Sequence, residues 1–244
     1  MNGASRKPLV LLHGWGSTPG IFDPLLAALG HPDAPRPSHR PHLRAPAGTL
    51  ADWADEIAPQ VPEGSVVLGW SLGAMLAMTL AARHAQRVAR LVLIAATPGF
   101  VARPDWPHAL DAATVQGFRD SFMRDATRTQ RRFVALQTMG DDNRHGVSDE
   151  LERHAEDVAT EHASMANGLR LLATADLRKE LPSPALPALL IHGQGDALMP
   201  PAASDWLAAR WHASRMLRIE GCGHAPHLSR PQEVAAAIRE FADA

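Results

Sequence analysis

The chain has 244 residues, 45% of them hydrophobic, so it can bury a large core within one domain. A net charge of −2 provides no basic field for nucleic acid, and no run of about 18 apolar residues predicts a membrane span. The single cysteine, Cys222, excludes an internal disulfide framework, and residues 1–7 lack the apolar stretch of a secretory signal. We expect a monomeric, cytoplasmic protein that binds neither nucleic acid nor membrane.

Short apolar runs alternate with helical patterns along most of the chain. The runs of strand length are 8–12, 65–68, 88–95, 188–193 and 216–219. Helical patterns occupy 22–29, 49–57, 74–81, 201–211 and 231–242. This alternation predicts an α/β fold, with a mainly parallel sheet covered by helices on both faces. Ligands of such sheets bind at the carboxyl ends of the strands.

Residues 99–187 interrupt the alternation, because they contain helical patterns, no convincing strand and proline-rich ends. We predict that they form a helical cap, or lid, inserted into a core made of residues 1–98 and 188–244. Residues 31–48 are rich in Pro, His and Arg, and only residues 42–44 have strand character. Although this stretch contains His31, His39 and His42, it lacks the ligand spacing of a zinc site.

The pentapeptide 69–73, Gly-Trp-Ser-Leu-Gly, lies between a predicted strand and a predicted helix. In that context a serine between two glycines is typical of a nucleophile elbow, a sharp turn that presents the hydroxyl above a parallel sheet. Gly69 and Gly73 would lack side chains because neighbouring backbone passes close to both. Since the pattern also occurs by chance, other strand ends must supply the partners that a serine nucleophile needs.

A base and its orienting group follow two later strands. Asp196 comes after the run 188–193, and His224 after 216–219, which is the Ser–Asp–His order of a hydrolase sheet. In that arrangement His224 removes the Ser71 proton and later delivers it to the leaving group, while Asp196 fixes the histidine tautomer. The alternatives are a helix N-cap for Asp196 and a surface position for His224. His13 and His192 are expected to brace loops.

Backbone groups would stabilise the developing oxyanion. The N–H of Leu72 follows the elbow serine, and the loop after the first strand offers the N–H of Trp15. The chain has no phosphate-binding loop and no dinucleotide fingerprint. We therefore expect no cofactor and no metal.

With these residues in place, the chain resembles the α/β-hydrolase superfamily from residue 8 to its end. It is more closely similar to the pimeloyl-[acyl-carrier protein] methyl ester esterases of biotin synthesis. That resemblance rests on residues 11–16, 69–73, 105–107 and 132–140. The stretch ending Ala-Leu-Gln-Thr-Met-Gly at 135–140 is the most specific, because caps normally diverge.

The resemblance implies a serine carboxylesterase that cleaves the methyl ester of a pimeloyl chain on acyl carrier protein. It also implies the residues that line the acyl channel: Trp15, Ser71, Leu72, Phe133, Val134, Ala135, Leu136, Gln137 and His224. Phe133 and Gln137 are four residues apart, so one side of a helix could present both.

The same resemblance implies that cap arginines recognise the acidic carrier protein. Arg124, Arg128 and Arg132 recur every four residues and would form one helical stripe, with Arg131 adjacent. Pairing within the cap is the alternative, because residues 141–161 contain eight carboxylates. Residues 31–48 also lack the Asp-x-Pro-Gly-x-Gly-x-Ser loop of the family.

Two other functions remain open at this point. One is a short-chain carboxylesterase or thioesterase with no carrier-protein partner. The other is a non-catalytic binding protein with a hydrolase fold, which the presence of Ser71, Asp196 and His224 disfavours.

Overall fold

A parallel sheet lies at the centre of the computed structural model, which describes residues 7–30 and 37–243. Within these residues it has six strands in the order β2-β1-β3-β4-β5-β6, and every neighbouring pair is parallel. The strands are β1 (Leu9–Leu12), β2 (Ser38–His39), β3 (Ser65–Trp70), β4 (Val88–Ile94), β5 (Ala188–Gly193) and β6 (Ser214–Ile219). The sheet confirms the predicted fold class.

Helices follow the strands and also fill the region between β4 and β5. Those in the described residues are α1 (Asp23–Leu29), α2 (Leu50–Ile57), α3 (Leu72–Arg83), α4 (Ala112–Arg124), α5 (Ala126–Gln137), α6 (Arg144–Arg153), α7 (Val158–Thr174), α8 (Pro201–Arg210), α9 (Pro226–Ser229) and α10 (Pro231–Asp243). The start of α2 shows how local sequence sets a boundary. Thr49 and Asp52 form a reciprocal capping box there.

Alternate residues of each strand face opposite sides of the sheet. In β1, Leu9 and Leu11 pack with α1 and α10, whereas Val10 and Leu12 pack with α2, α3 and the cap. Both sets are buried, because a parallel sheet covered on two faces has no solvated side. The continuous apolar runs of the sequence follow from this double burial.

The four helices α4–α7 account for most of residues 99–187, all of which the structure describes. This segment contains isolated bridges but no named strand, as expected. Phe122, Met165 and Leu169 of these helices join the same core as Leu72 and Trp15. The helical segment therefore packs over the residues that follow β1 and β3. The domain boundaries at 98 and 188 stay a prediction.

The strand character predicted at residues 42–44 is wrong, because the edge strand of this region is Ser38–His39. Leu43 is instead buried, and its N–H donates to His13 Nε2 at 2.9 Å. A side-chain acceptor thus takes the place of a strand partner. His31 lies outside the described residues. In the part of the chain that can be described, no helix has the length and apolar character needed to cross a membrane.

Candidate active site

Ser71 occupies the tight turn between β3 and α3. Its backbone has φ 58° and ψ −119°, a conformation that L residues rarely adopt and that costs about 1–3 kcal/mol. A Cβ on Gly69 would lie 2.3 Å from the Gly73 carbonyl oxygen, and one on Gly73 would lie 2.1 Å from that of Leu12. The predicted crowding at both glycines is confirmed. Only glycines let the chain close this turn.

Backbone hydrogen bonds hold the strained turn in place. The Ser71 N–H donates to the carbonyl of Ile94 at 3.0 Å, and the Ser71 carbonyl accepts from the N–H of Ala74 at 2.9 Å. The first bond ties the turn to the end of β4 and the second starts α3. Together they set the serine hydroxyl at the carboxyl end of the sheet.

Three side chains from three strand ends meet at this edge of the sheet. His224 Nε2 lies 3.0 Å from Ser71 Oγ, and His224 Nδ1 lies 2.8 Å from Asp196 Oδ2. All three residues are buried, so little water competes for these hydrogen bonds. The imidazole can accept the serine proton through Nε2 while the carboxylate holds a proton on Nδ1. The structure thus brings together Ser71, Asp196 and His224.

Asp196 is held by backbone as well as by histidine. Its Oδ1 accepts from the N–H groups of Leu198 at 2.9 Å and Met199 at 2.8 Å. The carboxylate therefore caps a turn with one oxygen and binds His224 with the other. Burial opposes ionisation most strongly, but electrostatic attraction to the His224 ring and hydrogen bonds from His192 and His224 outweigh it. They hold the pKa of Asp196 well below its usual range, so the carboxylate is ionised at neutral pH.

Two further histidines brace the loops around this site. His192 Nδ1 lies 2.6 Å from Ser204 Oγ, and its Nε2 lies 3.2 Å from Asp196 Oδ2. His13 accepts from the Leu43 N–H, and burial lowers the pKa of His13 to about 4. Since His13 is neutral at pH 7, its Nε2 is free to accept that bond. Neither ring is placed between Ser71 and Asp196.

The two predicted oxyanion donors lie on adjoining segments. Leu72 is the first residue of α3, and Trp15 belongs to the loop after β1. A Cβ on Gly168 would contact both of their side chains, at 2.7 Å from Trp15 Cδ1 and 3.4 Å from Leu72 Cδ2. Within residues 7–30 and 37–243, neither backbone N–H has a hydrogen-bond acceptor. Both N–H groups are thus unpaired in this part of the chain, and that of Leu72 lies at a helix N-terminus, which favours negative charge.

The Trp15 side chain packs the cap onto the core. Its Nε1–H donates to the Met165 carbonyl at 2.7 Å. The indole also makes edge contacts with Phe118, Phe122 and Phe133, with ring centroids 4.8–5.8 Å apart. The oxyanion loop is therefore attached to α4, α5 and α7 by one side chain.

An apolar cavity lies between the helices of the cap and Leu198 of the core. The lining residues are Phe100, Leu110, Thr114, Val115, Phe118, Phe133, Leu136, Leu169, Leu172 and Leu198. A second, smaller cavity includes Trp15 and Leu72 in its lining. Because polar groups are nearly absent from the first lining, that cavity suits a hydrocarbon chain.

The residues of the predicted channel segment 133–137 lie in four different environments. Phe133 and Leu136 line the apolar cavity. Gln137 is buried, and its carbonyl accepts from the His224 N–H at 3.1 Å. Val134 packs in the core on the opposite face of the sheet, and Ala135 is exposed beside α6. The structure does not bring Val134 and Ala135 to the cavity, because a helix turns them about 100° and 200° away from Phe133.

The predicted single helical stripe of arginines is wrong. Arg124 ends α4, and α5 begins at Ala126 with Asp125 as its N-cap, so the arginines belong to two helices. Arg124, Arg128 and Arg132 nevertheless line one surface depression, together with Ser121, Asp125 and Thr129. Arg131 is exposed on α5 and is not part of this lining. We call Arg124, Arg128 and Arg132 the arginine group.

The carboxylates of residues 141–161 pair elsewhere. Glu156 binds His42 at 2.7 Å and Glu161 binds Arg44 at 2.8 Å, so α7 and its N-terminal flank are tied to the core. Glu150 pairs with Arg153 on its own helix. Over the described ranges, no carboxylate forms an ion pair with the arginine group. The expected alternative of pairing within the cap therefore does not apply to these arginines.

One buried residue near the site was missed by the sequence reasoning. Asp141 accepts hydrogen bonds from Gly223, Ser229 and Asn143, and so contacts the loop that carries His224. Its position directly after the specific stretch 135–140 was the available signal. The acidic residues around it concealed that signal, because a run of carboxylates is usually solvated.

Comparison with known proteins identifies the family of the chain. A model of the alpha/beta hydrolase family matches residues 9–237. The chain is 45% identical to the pimeloyl-[acyl-carrier protein] methyl ester esterase of Aromatoleum aromaticum, over 97% of this chain and 98% of that protein. It is 35% identical to the protein of the same name from Nitrosomonas europaea, over 92% and 91% of the two chains.

A solved structure shows the same fold. The esterase of Exiguobacterium antarcticum superposes with a TM-score of 0.81 at 19% identity, covering 98% of this chain and 93% of that one. The chain belongs to the alpha/beta hydrolase family and groups within it with the two esterases above. It is a carboxylic ester hydrolase.

Proposed function

We propose that this protein is a serine carboxylesterase that removes the methyl ester from a pimeloyl chain carried on acyl carrier protein, in biotin synthesis. The observation that carries the chemistry is the position of His224, within hydrogen-bond distance of both Ser71 and Asp196. The substrate comes from the names of the relatives that are 45% and 35% identical over nearly their whole length.

Acylation uses the three buried side chains in sequence. Ser71 Oγ attacks the carbonyl carbon of the methyl ester while His224 Nε2 takes the hydroxyl proton. The carbonyl oxygen becomes an oxyanion and accepts from the N–H groups of Leu72 and Trp15, each worth about 2.7–4 kcal/mol in the transition state. His224 then gives its proton to the methoxy oxygen. Methanol leaves, and the pimeloyl chain is esterified to Ser71.

Deacylation repeats the steps with water as the nucleophile. His224 takes a proton from water as the water oxygen attacks the acyl carbon, and it returns that proton to Ser71 Oγ. The product carries a free carboxylate at the end remote from the carrier. Throughout, the ionised Asp196 stabilises the imidazolium form of His224.

The cap supports the choice of substrate. The apolar cavity with Phe133 and Leu136 in its lining suits the methylene chain, which would gain about 0.8 kcal/mol for each buried CH₂. The arginine group has no carboxylate partner among the described residues and would attract an acidic carrier protein. Such attraction acts mainly through the association rate and weakens with salt.

We further propose that the enzyme is monomeric and cytoplasmic. Its single cysteine allows no internal disulfide, which suits a reducing compartment. Sedimentation at micromolar concentration would give a mass close to 26.2 kDa. A mass of twice that value would contradict the monomer.

The test compares one ester on two carriers. Methanol release is measured from methyl-pimeloyl carrier protein and from dimethyl pimelate, with wild type, with Arg124, Arg128 and Arg132 all replaced by alanine, and with Arg215→Ala as an exposed control on β6. We expect the triple variant to lose roughly tenfold in kcat/KM on the carrier substrate, mostly at low salt, and nothing on dimethyl pimelate. Arg215→Ala should match wild type on both.

The possible outcomes separate the alternatives. Similar kcat/KM values for the two substrates in wild type would favour a short-chain carboxylesterase with no carrier partner. Absence of methanol release from either substrate, together with no labelling of Ser71 by a fluorophosphonate, would favour a non-catalytic binding protein.

A further inference from the structure

A turn of the cap touches two of the loops that carry the triad. We call residues 137–141 the cap turn. It begins at the last residue of α5 and lies against Gly195, next to Asp196, and against residues 223 and 224. The cap turn thus contacts both the acid loop, residues 194–200, and the histidine loop, residues 220–225.

The carboxylate of Asp141 is buried and uses both oxygens. Oδ2 accepts from the Gly223 N–H at 2.9 Å. Oδ1 accepts from Ser229 Oγ at 2.8 Å and from the Asn143 N–H at 2.8 Å. A buried carboxylate with three donors is held firmly, because hydrogen bonds to a charged acceptor are about twice as strong as neutral ones. This group links the cap turn to the histidine loop through Gly223 and to the end of α9 through Ser229.

The backbone of His224 is fixed by the same turn. The His224 N–H donates to the Gln137 carbonyl at 3.1 Å, and the residue before it, Gly223, donates to Asp141. The His224 carbonyl accepts from Trp70 Nε1 at 2.9 Å. With both peptide groups beside the residue tethered, its imidazole has little freedom to move away from Ser71.

The acid loop is held in place by close packing of its backbone against the cap turn. A Cβ on Gly140 would lie 2.1 Å from the Gly195 carbonyl oxygen, so the two glycines meet with no side chain between them. The Gly195 N–H donates to the Cys222 carbonyl at 2.9 Å, which joins the acid loop to the histidine loop. The cap turn, the acid loop and the histidine loop therefore form one layered unit.

We propose that Asp141 is a positioning residue, which holds the histidine loop so that His224 stays between Ser71 and Asp196 and so couples the cap to the triad. The inference rests on the proposed role of His224 as the general base. It adds that the cap contributes to the chemistry as well as to substrate selection. Displacement of a reacting group by about 1 Å can cost on the order of 100-fold in rate.

The test is Asp141→Asn, which keeps the shape but places an NH₂ group opposite a donor. Ser229→Ala removes one of the three donors, and Asp142→Asn changes the neighbouring carboxylate, which is 76% exposed. On a simple pimelate methyl ester, we expect Asp141→Asn to lower kcat by about 10- to 100-fold with KM nearly unchanged. Ser229→Ala should lower it a few-fold, and Asp142→Asn should match wild type.

The rate of Ser71 labelling by a fluorophosphonate gives a second readout, since it needs an activated serine but no substrate pocket. It is measured well below each variant's Tm and expressed per folded molecule. Asp141→Asn should label at least tenfold more slowly, and the downfield NMR signal of the His224–Asp196 proton should broaden or vanish. A labelling rate and kcat within twofold of wild type would overturn the proposal. If wild type itself fails to label Ser71, the proposed function fails instead.

Discussion

Ser71 Oγ and His224 Nε2 lie 3.0 Å apart, yet different parts of the molecule hold the two residues in place. The elbow around Ser71 is held by the backbone of the core, between β3 and α3. The carbonyl of Leu12 in β1 packs against Gly73, and the carbonyl of Ile94 in β4 accepts a hydrogen bond from the Ser71 N–H. Each of these contacts comes from a buried strand or from the helix that follows one. The elbow is therefore a property of the sheet.

The histidine loop is fixed by the cap as well as by the core, where Trp70 of β3 donates to the His224 carbonyl. Gln137 and Asp141 accept the N–H groups of His224 and Gly223, and both acceptors belong to the inserted helical region. The serine side of the hydrogen bond between Ser71 and His224 thus depends on the sheet, and the histidine side depends on the cap as well. We therefore expect the cap and the chemistry to be coupled, and variants on the two sides of this hydrogen bond should differ in their effects.

The largest effect is expected from removing the nucleophile at the elbow. Ser71→Ala should lower kcat by about 10⁴-fold or more, because the oxyanion donors and the cavity remain but no acyl-enzyme can form. Methanol release measures the change. Thermal unfolding serves as the control, since Tm should stay at or above the wild-type value once the buried hydroxyl is gone. Retention of full esterase activity would exclude Ser71 as the nucleophile.

The next largest effect concerns the partner on the histidine side. Asp196→Asn should lower kcat by about 10³- to 10⁴-fold, because an amide does not stabilise the imidazolium and can select the wrong tautomer. KM should change little, since Asp196 lines neither cavity. Steady-state kinetics on a simple methyl ester provides both values. A loss below tenfold would show that His224 is oriented without this carboxylate.

Replacing a glycine by alanine should change the free energy of unfolding differently in the core and in the cap. Gly73→Ala should destabilise the fold by about 3 kcal/mol, because its new Cβ would lie 2.1 Å from the backbone oxygen of Leu12. Gly117→Ala in α4 is the matched control: nothing lies within 4 Å of its Cβ, so the change should stabilise by about 0.5–1 kcal/mol. Urea unfolding measures both. Equal effects at the two positions would contradict the crowding at the elbow.

The sequence was most informative where local motifs coincide with the sheet. Gly69 and Gly73 could be predicted because their crowding follows from one strand–turn–helix unit. The positions of Asp196 and His224 followed from their strand ends. These features depend on short segments whose geometry the parallel sheet repeats in many proteins.

The sequence was least informative in the cap. The spacing of the arginines suggested one helix, but Asp125 separates α4 from α5 and is the N-cap of α5. Because this break is only one residue long, the arginines still recur every four residues in the sequence. The inward direction of Gln137 and the outward direction of Ala135 depend on how α5 packs. The role of Asp141 depends on a contact 82 residues away, which no local pattern encodes.

Acidity is expected to have a smaller effect per residue than the elbow substitution, at two buried histidines, His13 and His227. Burial lowers the pKa of His13 to about 4 and that of His227 to about 3, from 6.5. Between pH 6.5 and the lowered pKa, the unfolded chain binds more protons than the folded protein does. The free energy of unfolding is therefore highest above pH 6.5 and decreases as the pH falls. Each histidine should cost on the order of 2 kcal/mol by pH 5.

Denaturant unfolding at pH 7 and pH 5 measures this loss. His227 is the better site for a variant, because neither of its ring nitrogens has a hydrogen-bond partner within the described residues. His227→Leu should therefore flatten the pH dependence and leave the stability at pH 7 equal or higher. An unchanged slope between pH 7 and pH 5 would contradict a neutral, buried His227.

The central claim is that Ser71 is the nucleophile and that His224 activates it. The most direct measurement is peptide mass spectrometry after stoichiometric labelling with a fluorophosphonate, with residual esterase activity followed in parallel. If Ser71 is the nucleophile, we expect one adduct per chain, on the peptide that contains Ser71, and esterase activity that falls in proportion to labelling. An adduct on any other residue, or full activity after complete labelling of Ser71, would contradict it.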